Sequence, residues 1–166
     1  MTDSNDAYPY KRAWNYVLWL LGRRMYTQAE LRDKLQKKGA TDDDIAAILA
    51  RLVELKLSDD STFAESYVAG RKHRKGPHAL RQELKRKGVA KQIVADTLDD
   101  IDPSDERRAV TRLLDKHAWR FQKAVQKDDV RKAKAKAYGF LARRGFSSEV
   151  VSEVLDDAKM FQAEDD

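Results

Sequence analysis

Residues 31–39 read LRDKLQKKG and residues 80–88 read LRQELKRKG, so the chain writes one helix ending twice, 49 positions apart. Leucines four apart share a helix face, and a glycine just past the last turn supplies the left-handed residue that stops the helix. A looser version, FLARRGF at 140–146, places a third such glycine 57 positions after the second. This recurrence constrains the fold more than any bulk property does. It calls for short helical units in tandem, each too small to bury a good core alone.

Apolar residues at spacings of three and four fill in each unit, and no convincing strand pattern occurs. In the first copy Trp14, Val17, Leu18, Leu20 and Leu21 give one helix its buried side. TQAE at 27–30 is a capping box in which Thr27 and Glu30 satisfy each other's backbone. Leu31, Leu35 and Gly39 form the second helix and its stop; Thr41 caps a third helix with acids in its first turn and Ile45, Ile48, Leu49 and Leu52 on one face. The second copy starts at Ser58, with Phe63, Tyr67 and Val68, a Gly76-Pro77 helix start, then Leu80, Leu84, Gly88 and Ile93. The third starts at Asp102-Pro103, carries Leu113 and Leu114, and matches Leu141, Gly145, Val150 and Leu155 to Leu84, Gly88, Ile93 and Leu98. On this alignment the first copy has one residue more after its glycine, and the third has extra residues around WRFQKAVQKDD. The expected fold is all-α, three tandem three-helix repeats (10–57, 58–101 and 102–160) in an elongated, curved array. Residues 1–9 and 161–166 are expected to be flexible tails, and the acid-rich DTLDDIDPSDE at 96–106 a flexible joint.

Composition matters through its distribution. The net charge is only +5, yet Arg71–Lys91 holds nine basic residues against Glu83 alone, while residues 149–166 hold seven acids against Lys159. Such a field attracts a polyanion to the middle of the chain and repels it from the end. The basic set is Arg71, Lys72, Arg74, Lys75, Arg81, Lys85, Arg86, Lys87 and Lys91, with a second cluster at Lys132, Lys136, Arg143 and Arg144. The leucines and glycines between them read as packing. The cations read as a surface for an acidic partner, single- or double-stranded DNA gripped through its phosphates without sequence preference.

Several classes of activity lack their residues. There is no cysteine, hence no disulfide, thiolate metal site or thiol nucleophile, and a reducing compartment such as the cytoplasm is expected. GRKHRKGP at 70–77 does not keep the order of a phosphate loop. His73, His78 and His117 are too scattered for a metal triad and read as surface, and the aspartate runs at 42–44 and 59–60 sit where helices begin. Trp14, Trp19, Phe63, Tyr67, Phe140 and Phe146, at helical spacing, read as core. Neither an enzyme, a cofactor, a metal nor a membrane contact is expected.

The stretch LSDDSTFAESYVAGRKHRKGPHALRQELKRKGV at 57–89, followed by FLARRGF, resembles the bacterial regulatory protein family RecX. The family's middle repeat falls on Leu57, Asp59, Asp60, Phe63 and Ala64, then Arg71, Lys75 and Gly76, then Arg81, Glu83, Leu84, Lys87, Gly88 and Val89. The resemblance implies three tandem three-helix motifs and a cytoplasmic modulator of the RecA recombinase, active in recombination, DNA repair and the SOS response; because repeats contact only their neighbours, a monomer is expected. It implies a protein that lies in the groove of the RecA–DNA filament and lowers its ATPase, strand-exchange and co-protease activities. It carries over no catalytic residues. The other reading of the same charges is a general DNA-binding protein that acts on a recombinase only by competing for DNA.

Overall fold

The structure, a computed structural model, describes residues 8–125 and 129–162; of the expected tails, 1–9 and 161–166, residues 1–7 and 163–166 lie outside the described residues, while Tyr8 donates its N–H to the Gly39 carbonyl at 3.1 Å and packs on the first core. Among the described residues every regular element is helical. The first repeat is α1 (Tyr10–Leu21), α2 (Gln28–Lys37) and α3 (Asp42–Glu54), and the second is α4 (Asp60–Ala69), α5 (Pro77–Arg86) and α6 (Lys91–Asp99). The third is α7 (Pro103–Lys116), α8 (Trp119–Val125), α9 (Val130–Ala142) and α10 (Ser148–Asp157), ending in a 3₁₀ turn at Lys159–Phe161. The fold is therefore all-α with three tandem repeats, and the extra residues of the third repeat form an added helix, α8.

Local chemistry accounts for the boundaries. Thr27 Oγ1 accepts the Glu30 N–H at 3.1 Å and Glu30 accepts the Thr27 N–H at 3.1 Å, the reciprocal box read from TQAE. Thr41 accepts the Asp44 N–H at 3.2 Å. Pro77 and Pro103 begin α5 and α7, where a missing N–H leaves no bond unmade. The middle helices of the three repeats stop on Gly39, Gly88 and Gly145, at φ of 82°, 76° and 80°.

One alignment read from the sequence is corrected. In every repeat the next helix begins three residues after the glycine, at Asp42, Lys91 and Ser148. Within that helix the first buried side chain comes six residues after the glycine, at Ile45, Val94 and Val151, and another ten after it, at Leu49, Leu98 and Leu155. The first copy thus has no extra residue. The error arose because a β-branched neighbour, Ile93 or Val150, stands one place earlier and is itself half-buried.

The first repeat closes around Val17 and Leu20 of α1, Leu31 and Leu35 of α2, and Ile45, Ile48 and Leu52 of α3. Leu18, expected inside, is 38% exposed. The third repeat packs Val110 and Leu114, Phe121 of α8, Phe140 and Leu141 of α9, and Val151 and Leu155 of α10. Phe161, expected to open the tail, is buried against that core. Truncating one of these leucines should cost about 2–5 kcal/mol, a large share of what so small a core supplies. Two compact units emerge, Met1–Ser66 with Leu84–Val94 and Tyr67–Glu83 with Ala95–Asp166, so the middle repeat contributes to both.

Candidate functional site

In the first unit, the corner after α5 is bonded to the start of α2. Thr27, fully buried, donates its hydroxyl to the Lys87 carbonyl at 2.6 Å. The Lys87 ammonium reaches Glu30 at 2.9 Å, and Arg24 reaches the same carboxylate at 3.3 Å. Burial pushes the Glu30 carboxyl up, but Lys87, the Thr27 N–H and Arg24 outweigh it and hold it below its ordinary value. Gln28 adds an N–H to Asp60 at 2.9 Å and a side-chain amide to Ser58 at 3.0 Å. A side chain on Gly88 would collide with Ala29, so this glycine is required by close approach as well as by φ. Lys87, expected on the partner surface, therefore serves this joint. Lys85, Arg86 and Lys91 are exposed.

The second unit repeats the device one copy later. Gly76 donates its N–H to the Arg144 carbonyl at 2.8 Å and His78 to the Gly145 carbonyl at 3.0 Å. A side chain on Gly145 would collide with Ala79, and one on Gly76 with the Gly145–Phe146 backbone. Gly39 has open space around it. The expected basic face on this unit is thinned by internal pairing. The Lys75 ammonium bonds Glu83, which also accepts the Tyr67 hydroxyl at 2.8 Å, and the Arg71 guanidinium lies 3.8 Å above the Tyr67 ring. Lys72 and Arg108 both bond Asp105. Asp102 accepts the Ser104 N–H and Glu106 accepts from Ser147, so several acids of the expected joint cap and pair helices instead. Arg74 and Arg81 are exposed, with no carboxylate partner among the described residues.

Four other cations of this unit, Arg120, Lys136, Arg143 and Arg144, gather where the inserted α8 packs on α9. A cleft of about 350 Å³ is lined by Arg120, Phe121, Ala135, Lys136, Gly139, Phe140 and Arg143. Arg144 lies 3.8 Å and Arg120 5.1 Å from the centre of the Phe140 ring, and the His117 ring meets Phe140 edge-on at 4.9 Å. His117 is thus half-buried rather than on the open surface. Burial and the charges of Arg144, Lys116 and Arg120 depress its pKa, and burial with Arg120 and Arg143 depresses that of Arg144. Lys132 stands 3.9 Å from Asp129, outside the cleft. Arg120 is not singled out by the sequence because the residues around WRFQKAVQKDD have no counterpart in the other copies, and His117 reads there only as surface. The signal is Phe121 and Val125, apolar and four apart, the spacing of one helix face. Among the described residues no group of three His, Asp or Glu side chains is placed to hold a metal, and no helix is long and apolar enough to cross a membrane. Trp19, read as core, is 53% exposed, whereas Phe63, Phe140 and Phe146 are buried.

Three family models match the chain in order: the first three-helix domain of RecX over residues 13–52, the second over 59–98 and the third over 106–155. The regulatory protein RecX of Mycobacterium sp. (strain JLS) is 38% identical over 147 residues, spanning 87% of this chain and 80% of its own. That of Chlorobium phaeobacteroides (strain BS1) is 36% identical over 158 residues, spanning 94% and 97%. The crystal structure of RecX from Lactobacillus salivarius superposes with a TM-score of 0.81 at 27% identity, over 89% of this chain and 95% of that one.

Proposed function

Because this chain belongs to the RecX family of regulatory proteins, we propose that it binds the RecA recombinase filament along its groove and lowers its ATPase, strand-exchange and co-protease activities. The observation that carries this reading is the ordered match of all three domains. The chain acts by binding, as a monomer in the cytoplasm, and several weak contacts from successive repeats add through effective concentration. Exposed Arg74, Arg81, Lys85 and Lys91 supply charge facing the filament's DNA.

The uncompensated cations also favour a second reading, in which the protein only competes for DNA. A titration into preformed RecA filaments hydrolysing ATP separates the two. Under the first reading hydrolysis falls well below one molecule per RecA protomer and excess competitor DNA does not restore it. Complete rescue by competitor would replace the filament mechanism with DNA competition.

A further inference from the structure

Arg120, Lys136 and Arg143 are exposed, but unlike a charge run along one segment they line a single cleft from two packed helices. Lys136, Gly139, Phe140 and Arg143 follow at spacings of three and four, one face of α9, and Arg120 comes from the facing α8. Ala135 and Gly139 keep the floor low, and a Cβ at position 139 would stand 3.2 Å from Arg143 Nη1. The helix dipole explains part of the cluster: Arg144 donates to the Phe140 carbonyl at 3.2 Å near the end of α9. It does not explain Arg120, which sits on another helix, or Lys136, two turns before that end. Among the described residues no carboxylate pairs with Arg120, Lys136, Arg143 or Arg144, although carboxylates neutralise Lys72, Lys75, Lys87 and Lys134 elsewhere. Like charges held together at fixed geometry lower their mutual repulsion by taking an anion. One residue before Arg120, Trp119 is 67% exposed, an aromatic surface on the same helix as a cleft cation.

We propose that this cleft is a phosphate-binding site, in which Arg120, Lys136 and Arg143 grip a phosphate of a nucleotide unit while Trp119 stacks on its base. The inference rests on the nucleic-acid part of the reading above and does not require the recombinase. It turns a diffuse charged surface into one discrete site in the third repeat. The arrangement matches the chemistry of single strands, whose backbone lies among cations and whose unpaired bases stack on aromatic rings. The source of the phosphate is a strand's phosphodiester or a free nucleotide, and the experiment takes both.

The full-length protein is titrated with a thymidine oligonucleotide, a nucleoside triphosphate and inorganic phosphate, following the His117 imidazole by NMR and tryptophan emission against a Trp119→Phe reference. The expected result is a saturable rise of the His117 pKa with quenching of Trp119 on adding oligonucleotide. Arg120→Gln or Arg143→Gln should weaken it at least about tenfold, the scale of one hydrogen bond to a charged group. Lys132→Gln, on the same helix but outside the cleft, should leave it within about twofold. Saturation by triphosphate alone keeps the phosphate site and assigns it to free nucleotide. An unmoved His117 with all three probes, or equal losses for Lys132→Gln and Arg120→Gln, overturns the site. Far-ultraviolet circular dichroism confirms that each variant is folded. Filament inhibition can fail while His117 still responds, so this site and the recombinase reading stand or fall separately.

Discussion

The residue before the stop glycine is basic in all three repeats, yet Lys38, Lys87 and Arg144 do different work. Lys38 lies 5.1 Å from the Tyr16 ring within the first repeat. Lys87 bonds Glu30, while its carbonyl takes the Thr27 hydroxyl. Arg144 covers Phe140 in the company of Arg120 and Arg143. The frame of leucine and glycine recurs from copy to copy and each cation lies over a ring, Lys87 over Phe63 at 5.8 Å, but Lys87 also joins segments and Arg144 also stands beside Arg120 and Arg143. A repeated basic position is therefore no sign of a repeated binding role.

The glycines provide the largest test of that contrast. Gly39, Gly88 and Gly145 share a left-handed conformation, which costs an alanine roughly 1–2 kcal/mol. Gly88 and Gly145 also lie against Ala29 and Ala79, where an added methyl meets packed neighbours at a further cost of about 1–3 kcal/mol. Urea denaturation of the three alanine variants should rank Gly39→Ala as the mildest. Equal losses at all three positions would mean that the corners yield readily and that only φ matters.

The lysines test it next. Lys87→Ala leaves Glu30 without its nearest cation and should cost about 1–2 kcal/mol, since both partners are more than half screened from water. Lys85→Ala, two residues earlier and exposed, should stay within about 0.5 kcal/mol and act on binding to DNA. DNA affinity measured against salt should fall with a shallower slope in Lys85→Ala, by about one counterion. A large stability loss at Lys85 with none at Lys87 would reverse the assignment.

The repeat frame was legible because capping, helix stops and apolar spacing are local signals, and TQAE, Gly39 and Pro77 carry them within a few residues. The candidate site was legible only in part. Lys72, Lys75 and Lys87 looked available because their partners Asp105, Glu83 and Glu30 lie 33, 8 and 57 residues away, so ion pairing could not be read along the chain. The cleft was missed for the opposite reason. Arg120 belongs to an insertion with no counterpart in the other copies, so the repeat pattern that made everything else readable gave it no role.

Acidity offers the smallest and most local distinction, because two carboxylates of the same joint are shifted in opposite directions. Glu30 is held below its ordinary pKa of 4.5 despite its burial, so its contribution to stability is present above that value and lost as pH falls through the lower folded value. Asp60 is pushed above 3.8 chiefly by burial, only partly offset by the Gln28 N–H. Its folded form favours the proton, so its contribution is present below 3.8 and fades as pH rises through the higher folded value. Urea midpoints measured from pH 3 to 7 should therefore respond differently to two variants. Glu30→Gln should flatten the acid limb below about pH 4.5 and lower stability at neutral pH, because the link to Lys87 is gone. Asp60→Asn keeps an oxygen for the Gln28 N–H and removes the charge, so it should raise stability slightly at neutral pH and leave it nearly unchanged at pH 3. A neutral-pH loss for Asp60→Asn as large as that for Glu30→Gln would show that the ionised Asp60 is also a stabilising partner, and the joint would then depend on two charges where the geometry assigns the role to one.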